Sequence, residues 1–134
     1  MEETAAPGLD ARPLGRHMLC DLSGCERLPE NPEILLPEME RAARMMGATV
    51  VESVFHRFDP WGLSGVVILA ESHLAVHTWP EHASACVDLF TCNVEMDPTP
   101  GFEHLRRVFA AERWDVTEIR RGRARIGSPL EETC

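Results

Sequence analysis

Side chains able to act as nucleophile, acid, base or metal ligand concentrate within 29 residues, among them Ser64, Ser72, His73, His77, Glu81 and Cys92. Alternation along extended chain puts His73, His77 and Trp79 on one face of a predicted strand, and Cys86, Asp88, Phe90 and Cys92 on one face of the next. Three readings compete for this group. Zinc takes His and Cys, so His73, His77, Cys86 and Cys92 are ligands of the right type. Their spacing matches no compact zinc signature, and strand residues four apart stand about 13 Å from each other. A serine nucleophile with a histidine base is the second, but neither Ser64 nor Ser72 sits in a Gly-x-Ser-x-Gly turn. The third has no chemistry, only hydrogen-bonded histidines and packed thiols within a core.

The elements that must position these residues follow from periodicity. Arg16 to Leu22 reads as a strand. Asn31-Pro32 opens a helix, Asn as cap and Pro in the first turn, with Leu35, Met39, Ala42 and Met46 on one stripe and Gly47 at the exit. Pro37 should kink that helix or delay its start. Thr49 to Phe58 alternates and is rich in β-branched and aromatic residues, and Asp59-Pro60-Trp61-Gly62 turns the chain. Ser64 to Ala70 is apolar on both faces, which predicts a strand covered on both sides. Ser72 to Trp79 and Ser84 to Cys92 follow as strands around a turn at Pro80. Asp97-Pro98 starts a second helix carrying Phe102, Leu105 and Phe109, and Trp114 to Arg120 is the last strand. The fold expected is α+β: a two-layer sandwich of an antiparallel sheet with two helices on one face. The bare sheet face is to be covered by a second copy, giving a homodimer.

At 134 residues the chain holds one domain, read as residues 14–122 between flexible tails 1–13 and 123–134. A net charge of −9 speaks against a nucleic-acid partner. The longest apolar run, Val66 to Ala70, is far too short to cross a membrane, and no secretory signal opens the chain. The expected location is cytoplasmic, where the five cysteines would stay reduced, with Cys20, Cys25 and Cys86 as buried free thiols. All 13 basic residues are arginine. Without lysine the chain cannot hold pyridoxal phosphate as a lysine Schiff base, so any electron-sink carbonyl must come from elsewhere.

The segment Gly65-Val-Val-Ile-Leu-Ala-Glu-Ser-His-Leu-Ala-Val-His-Thr-Trp-Pro-Glu81 resembles the self-processing region of prokaryotic S-adenosylmethionine decarboxylase proenzymes. The likeness runs from Leu14-Gly-Arg-His17 to about Gly122, through Gly47-Ala-Thr49, Phe55-His-Arg-Phe58, Asp88-Leu-Phe-Thr-Cys92 and Phe102-Glu-His-Leu105. The resemblance implies that the Ser72 hydroxyl attacks the Glu71 carbonyl and that elimination then cuts the chain into residues 1–71 and 72–134. Position 72 becomes dehydroalanine, and hydrolysis with loss of ammonia leaves a pyruvoyl group. It further implies that Ser64 holds the developing oxyanion and His77 moves the proton for elimination. Cys92 is implied as the proton donor after a Schiff base with the substrate amine loses carbon dioxide. Phe58 and Trp79 would lie against the adenosyl moiety, and Glu81 would accept from ribose hydroxyls. No metal is implied. The product would be an aminopropyl donor for spermidine synthesis.

The likeness has departures. His82-Ala-Ser-Ala-Cys86 stands where the family has Tyr-Gly-Tyr and small residues, and Asp59 and Trp61 lie between Phe58 and Ser64. An added acid near the pocket keeps open the same machinery acting on arginine or ornithine. A third reading is an unprocessed relative that is regulatory or metal-binding.

Overall fold

The computed structural model describes Gly8 and residues 12–127. Nine elements follow in order: β1 Gly15–Ser23, α1 Pro32–Met45, β2 Val50–Arg57, β3 Leu63–Leu69, β4 Ser72–Trp79, a 3₁₀ turn Pro80–His82, β5 Ser84–Thr91, α2 Thr99–Val108 and β6 Arg113–Arg121. The strands form one antiparallel sheet in the order β2-β3-β4-β5-β1-β6. The middle strands β3, β4 and β5 are joined by tight connections. The long links through α1 and α2 bring β1 and β6 to the far side of β5.

Both helices begin where the sequence marks a start, α1 after its Asn31 cap and α2 after Asp97-Pro98. The Asn31 side chain accepts from the Glu33 N–H at 3.2 Å, and the Asp97 carboxylate accepts from the Thr99 N–H at 3.0 Å. Pro37 lies inside α1, so the helix start is not delayed: Asn31 and Pro32 already fix the first turn, and Pro37 sits in the helix without an N–H to donate. Leu35, Met39 and Ala42 on α1, Phe102 and Leu105 on α2 and Phe109 at its C-cap are buried against Met18, Leu22, Val67, Leu74, Val76, Val87 and Leu89 of the sheet. The helices approach closely at Gly101, where a Cβ would stand 2.6 Å from the Ala42 carbonyl oxygen. Only a residue without a side chain permits that crossing.

The other sheet face carries His17, Ser64, Val66, Ile68, His73, His77, Trp79, Asp88 and Phe90, opposite in parity to the buried set. Val66 is half-buried and Ile68 exposed, so in one chain β3 is covered on one side only. Val54, Trp79 and Ile119 are also exposed there. Of the segments read as tails, most of 1–13 and residues 128–134 lie outside the described residues, and Ala124 is buried.

Phe102 is nearly inaccessible to solvent and belongs to α2's inward stripe. Phe102→Ala should lower unfolding free energy by about 3–5 kcal/mol, read from urea denaturation.

Candidate active site

The β3–β4 hairpin closes through Ala70 and Glu71, with Leu69 paired to Ser72. Ser72 has φ of 145°, a backbone region that residues with a side chain rarely adopt and that costs on the order of 1–3 kcal/mol. Neighbouring strands hold the hairpin there from both sides. The Ala70 N–H donates to the Thr49 carbonyl at 2.9 Å, and the Thr49 N–H donates to Glu71 Oε1 at 3.0 Å. From the other side, the Cys92 N–H donates to the Glu71 carbonyl oxygen at 3.1 Å. The peptide bond between Glu71 and Ser72 is therefore fixed and its carbonyl polarised. Cys92 Sγ lies 3.5 Å from the same oxygen.

Cys92 is disulfide-bonded, whereas Cys20, Cys25 and Cys86 are free. The expectation of reduced thiols thus fails at Cys92, which stands just past the end of β5 in an open cavity and is accessible to oxidation. Burial pushes the Cys20 thiol up to about 12, and burial together with Asp21 pushes the Cys86 thiol up to about 11, so both stay protonated and unreactive. Cys86 is half-buried rather than buried, because its strand position faces the bare side of the sheet.

A cavity of about 610 Å³ opens beside Ser72 and is lined by Glu71, His73, Phe90, Cys92 and Arg121 among others. A chain of polar contacts joins two of its lining residues, Arg121 and His73, through His17 and Asp88. Arg121 Nη1 donates to His17 Nδ1 at 3.1 Å, so His17 carries its proton on Nε2 and donates it to Asp88 Oδ2 at 2.7 Å. His73 Nε2 lies 3.3 Å from the same oxygen. Phe90 packs among them: the His73 ring stacks on it at 6.0 Å and the Arg121 guanidinium sits 5.4 Å above it. Gly15 makes room, since a Cβ there would meet Phe90 at 2.6 Å. Partial burial alone would raise the Asp88 pKa, but the hydrogen bonds from His73 and His17 outweigh it and the net shift is downward.

His17, Asp88, Phe90 and Arg121 were not assigned site roles by sequence reasoning. The segments Leu14-Gly-Arg-His17 and Asp88-Leu-Phe-Thr-Cys92 carried a signal, but nothing local indicates that β1 and β6 meet β4 and β5 here. Among the described residues, the group converging as potential metal ligands is His17, His73 and Asp88, with donor atoms within 4.8 Å of one another. It is not the zinc set His73, His77, Cys86 and Cys92. Arg121 adds a cation beside His17 and commits Nε2 as a donor, so the cluster as it stands is a hydrogen-bond relay.

A second cluster gathers near the other end of β3 and β4. Ser64 Oγ and His77 Nδ1 are 2.8 Å apart on paired residues. They line a cavity of about 230 Å³ together with Phe58, Trp61, Trp79 and Glu81. Five strand positions separate His77 from Ser72, about 16 Å at 3.3 Å per residue. Phe58, Ser64, His77, Trp79 and Glu81 are thus brought together, as are Glu71, Ser72 and Cys92, but a single chain does not unite the two groups.

Because the Asp88 carboxyl is held below its ordinary value of 3.8, its charge stabilises the fold above that pH, and the contribution is lost as pH falls through the folded-state value. Asp88→Asn should flatten the loss of stability as the pH falls below about 4 in urea titrations. An unchanged acid limb would show that Asp88 contributes nothing to it.

Residues 16–122 match the S-adenosylmethionine decarboxylase family. An S-adenosylmethionine decarboxylase proenzyme from Thermotoga maritima is 48% identical over 118 residues, covering 87% of this chain and 91% of that one. One from Fervidobacterium nodosum is 45% identical over 111 residues, covering 82% and 81%. The crystal structure of the adenosylmethionine decarboxylase from Aquifex aeolicus VF5 has the same fold, with a TM-score of 0.76 and 32% identity over 88% of this chain and 98% of that one. With that extent of match and this arrangement around Glu71 and Ser72, the chain belongs to the S-adenosylmethionine decarboxylase family.

Proposed function

We propose that this chain is a proenzyme that cuts itself between Glu71 and Ser72, and that a pair of processed copies decarboxylates S-adenosylmethionine through the resulting pyruvoyl group. The observation that carries this reading is Ser72 at φ 145° behind a carbonyl held by the Cys92 N–H. Attack of the Ser72 hydroxyl on the Glu71 carbonyl carbon turns the amide into an ester and frees the strained backbone nitrogen. The Cys92 N–H is placed to stabilise negative charge as it forms on the Glu71 oxygen. A base then removes the Ser72 α-proton, Glu71 leaves as a carboxylate, and hydrolysis of the dehydroalanine releases ammonia.

That base does not come from the same chain, because His77 is about 16 Å from Ser72. A second copy packed sheet to sheet, about a two-fold axis running across the strands, reverses strand direction over each site. It sets Ser64, His77, Phe58, Trp79 and Glu81 of one copy over Ser72 and Cys92 of the other, at a sheet separation of about 10 Å. It also covers Val54, Val66 and Ile68, the apolar residues that one chain leaves bare. The domain reading of 14–122, cut within β-hairpin β3–β4, accords with this arrangement.

The residues around position 72 fit a pyruvoyl group, since the site opens into the larger cavity with Cys92 at its edge. The group supplies a ketone that condenses with the substrate amine and accepts electrons as carbon dioxide leaves. Cys92 then returns a proton, a role that requires the reduced thiol. Phe58 and Trp79 offer aromatic faces to the adenine and the sulfonium cation, and Glu81 accepts from ribose. Asp59, whose acidity would suit arginine or ornithine, does not line the cavity with Phe58, Trp79 and Glu81, so S-adenosylmethionine is the better substrate.

Intact mass of the purified protein should show pieces 1–71 and 72–134, the second without a free amine. Ser72→Ala should stay whole and inactive. Cys92→Ala should cut but lose turnover by at least about 100-fold, and wild-type turnover should rise with a thiol reductant. Co-expressing Ser72→Ala with His77→Ala should restore one complete site per mixed pair. No recovery of cleavage or carbon dioxide release in that mixture would place the whole site within one chain.

A further inference from the structure

We propose that Asp88 is a positioning residue for decarboxylation, acting through His73 on the group at position 72; the proposal rests on the functional reading above. Cutting the 71–72 bond makes position 72 a chain end. The contacts that fix the hairpin before cleavage both end on Glu71: the one from Thr49 N–H to Glu71 Oε1 lies within the first piece, and the one from Cys92 N–H to the Glu71 carbonyl holds that piece's new end, not position 72. On the second piece, the first side chain with an anchor is His73. Its Nε2 lies 3.3 Å from Asp88 Oδ2, and its ring stacks on Phe90 at an interplanar angle of 23°.

Asp88 is itself immobilised. His17 donates to the same oxygen at 2.7 Å and is held in turn by Arg121 at 3.1 Å. Asp88 lies on β5, four residues before Cys92 and on the same face. The carboxylate therefore ties the new chain end to the strand that delivers the proton, and sets the separation between them. The relay links four strands, β6, β1, β5 and β4, so it resists displacement along any one of them. Its role begins only after the backbone tether is gone, so it concerns turnover and not cleavage.

Two variants test this. Asp88→Asn keeps the shape and removes the charge. His73→Phe keeps the stack on Phe90 and removes the hydrogen bond. Each is measured for cleavage by intact mass, for kcat and KM with S-adenosylmethionine, and for its urea midpoint. Both should process fully, with KM within about twofold of wild type and kcat down by about ten- to a hundredfold, the scale of a 1 Å misplacement. The double variant should lose no more than the worse single, because both changes break one link. A processed variant with wild-type kcat, losses that multiply in the double variant, a kcat loss matched by an equal rise in KM, or a variant that folds but stays uncut would each overturn the proposal. If one variant does not fold, the other decides. Wild-type protein that stays whole, or that releases no carbon dioxide from S-adenosylmethionine, would instead defeat the functional reading itself.

Discussion

The backbone at Ser72 is held in a conformation it would not choose, and the remaining structure is arranged to keep it there. A two-residue connection joins β3 to β4, and hydrogen bonds from Thr49 on one side and Cys92 on the other fix Glu71. A strained residue relaxes unless its surroundings over-determine it. Here the surroundings are a continuous antiparallel sheet: Thr49, just before β2, and Cys92, just after β5, both bond to the hairpin. The helix layer stiffens this frame by burying the sheet's apolar face under Leu35, Met39, Phe102 and Leu105. Strain at one bond and a close-packed core are two ends of the same argument, since a loose sheet would let Ser72 revert to ordinary extended backbone.

The opposite face of the sheet is organised by charge and aromatic contact. Arg121, His17, Asp88 and His73 form a line of hydrogen bonds around Phe90, beside the Glu71–Ser72 hairpin. Ser64, His77, Trp79 and Glu81 gather at the far end of the same two strands. Polar groups of this kind on a half-apolar face suit a surface that becomes buried against a partner. Val54, Ile68 and Ile119 are exposed on that face, while the polar groups of the relay are hydrogen-bonded to one another.

Much of the fold was legible in the residues. Period-two alternation and turn chemistry located all six strands to within a residue or two, and the Asn31 cap and the Asp97-Pro98 pair marked the two helix starts even with Pro37 in the way. Family membership was legible too, through the resemblance carried by Gly65 to Glu81 and the matching segments around it. Local sequence carries these features because caps, turns and alternation depend on residues a few positions apart.

Tertiary structure alone decided which of those residues meet. The serine and the histidine read together from the sequence are separated along β4, because each residue advances a strand by a fixed rise and nothing folds it back. Residues 104 and 71 positions apart, Arg121 with His17 and His17 with Asp88, come within hydrogen-bonding distance because β1 inserts between β5 and β6. Strand order and register are set by long-range pairing and by burial of one whole face. No local pattern encodes them, so the chemistry was written in the sequence and its geometry was not.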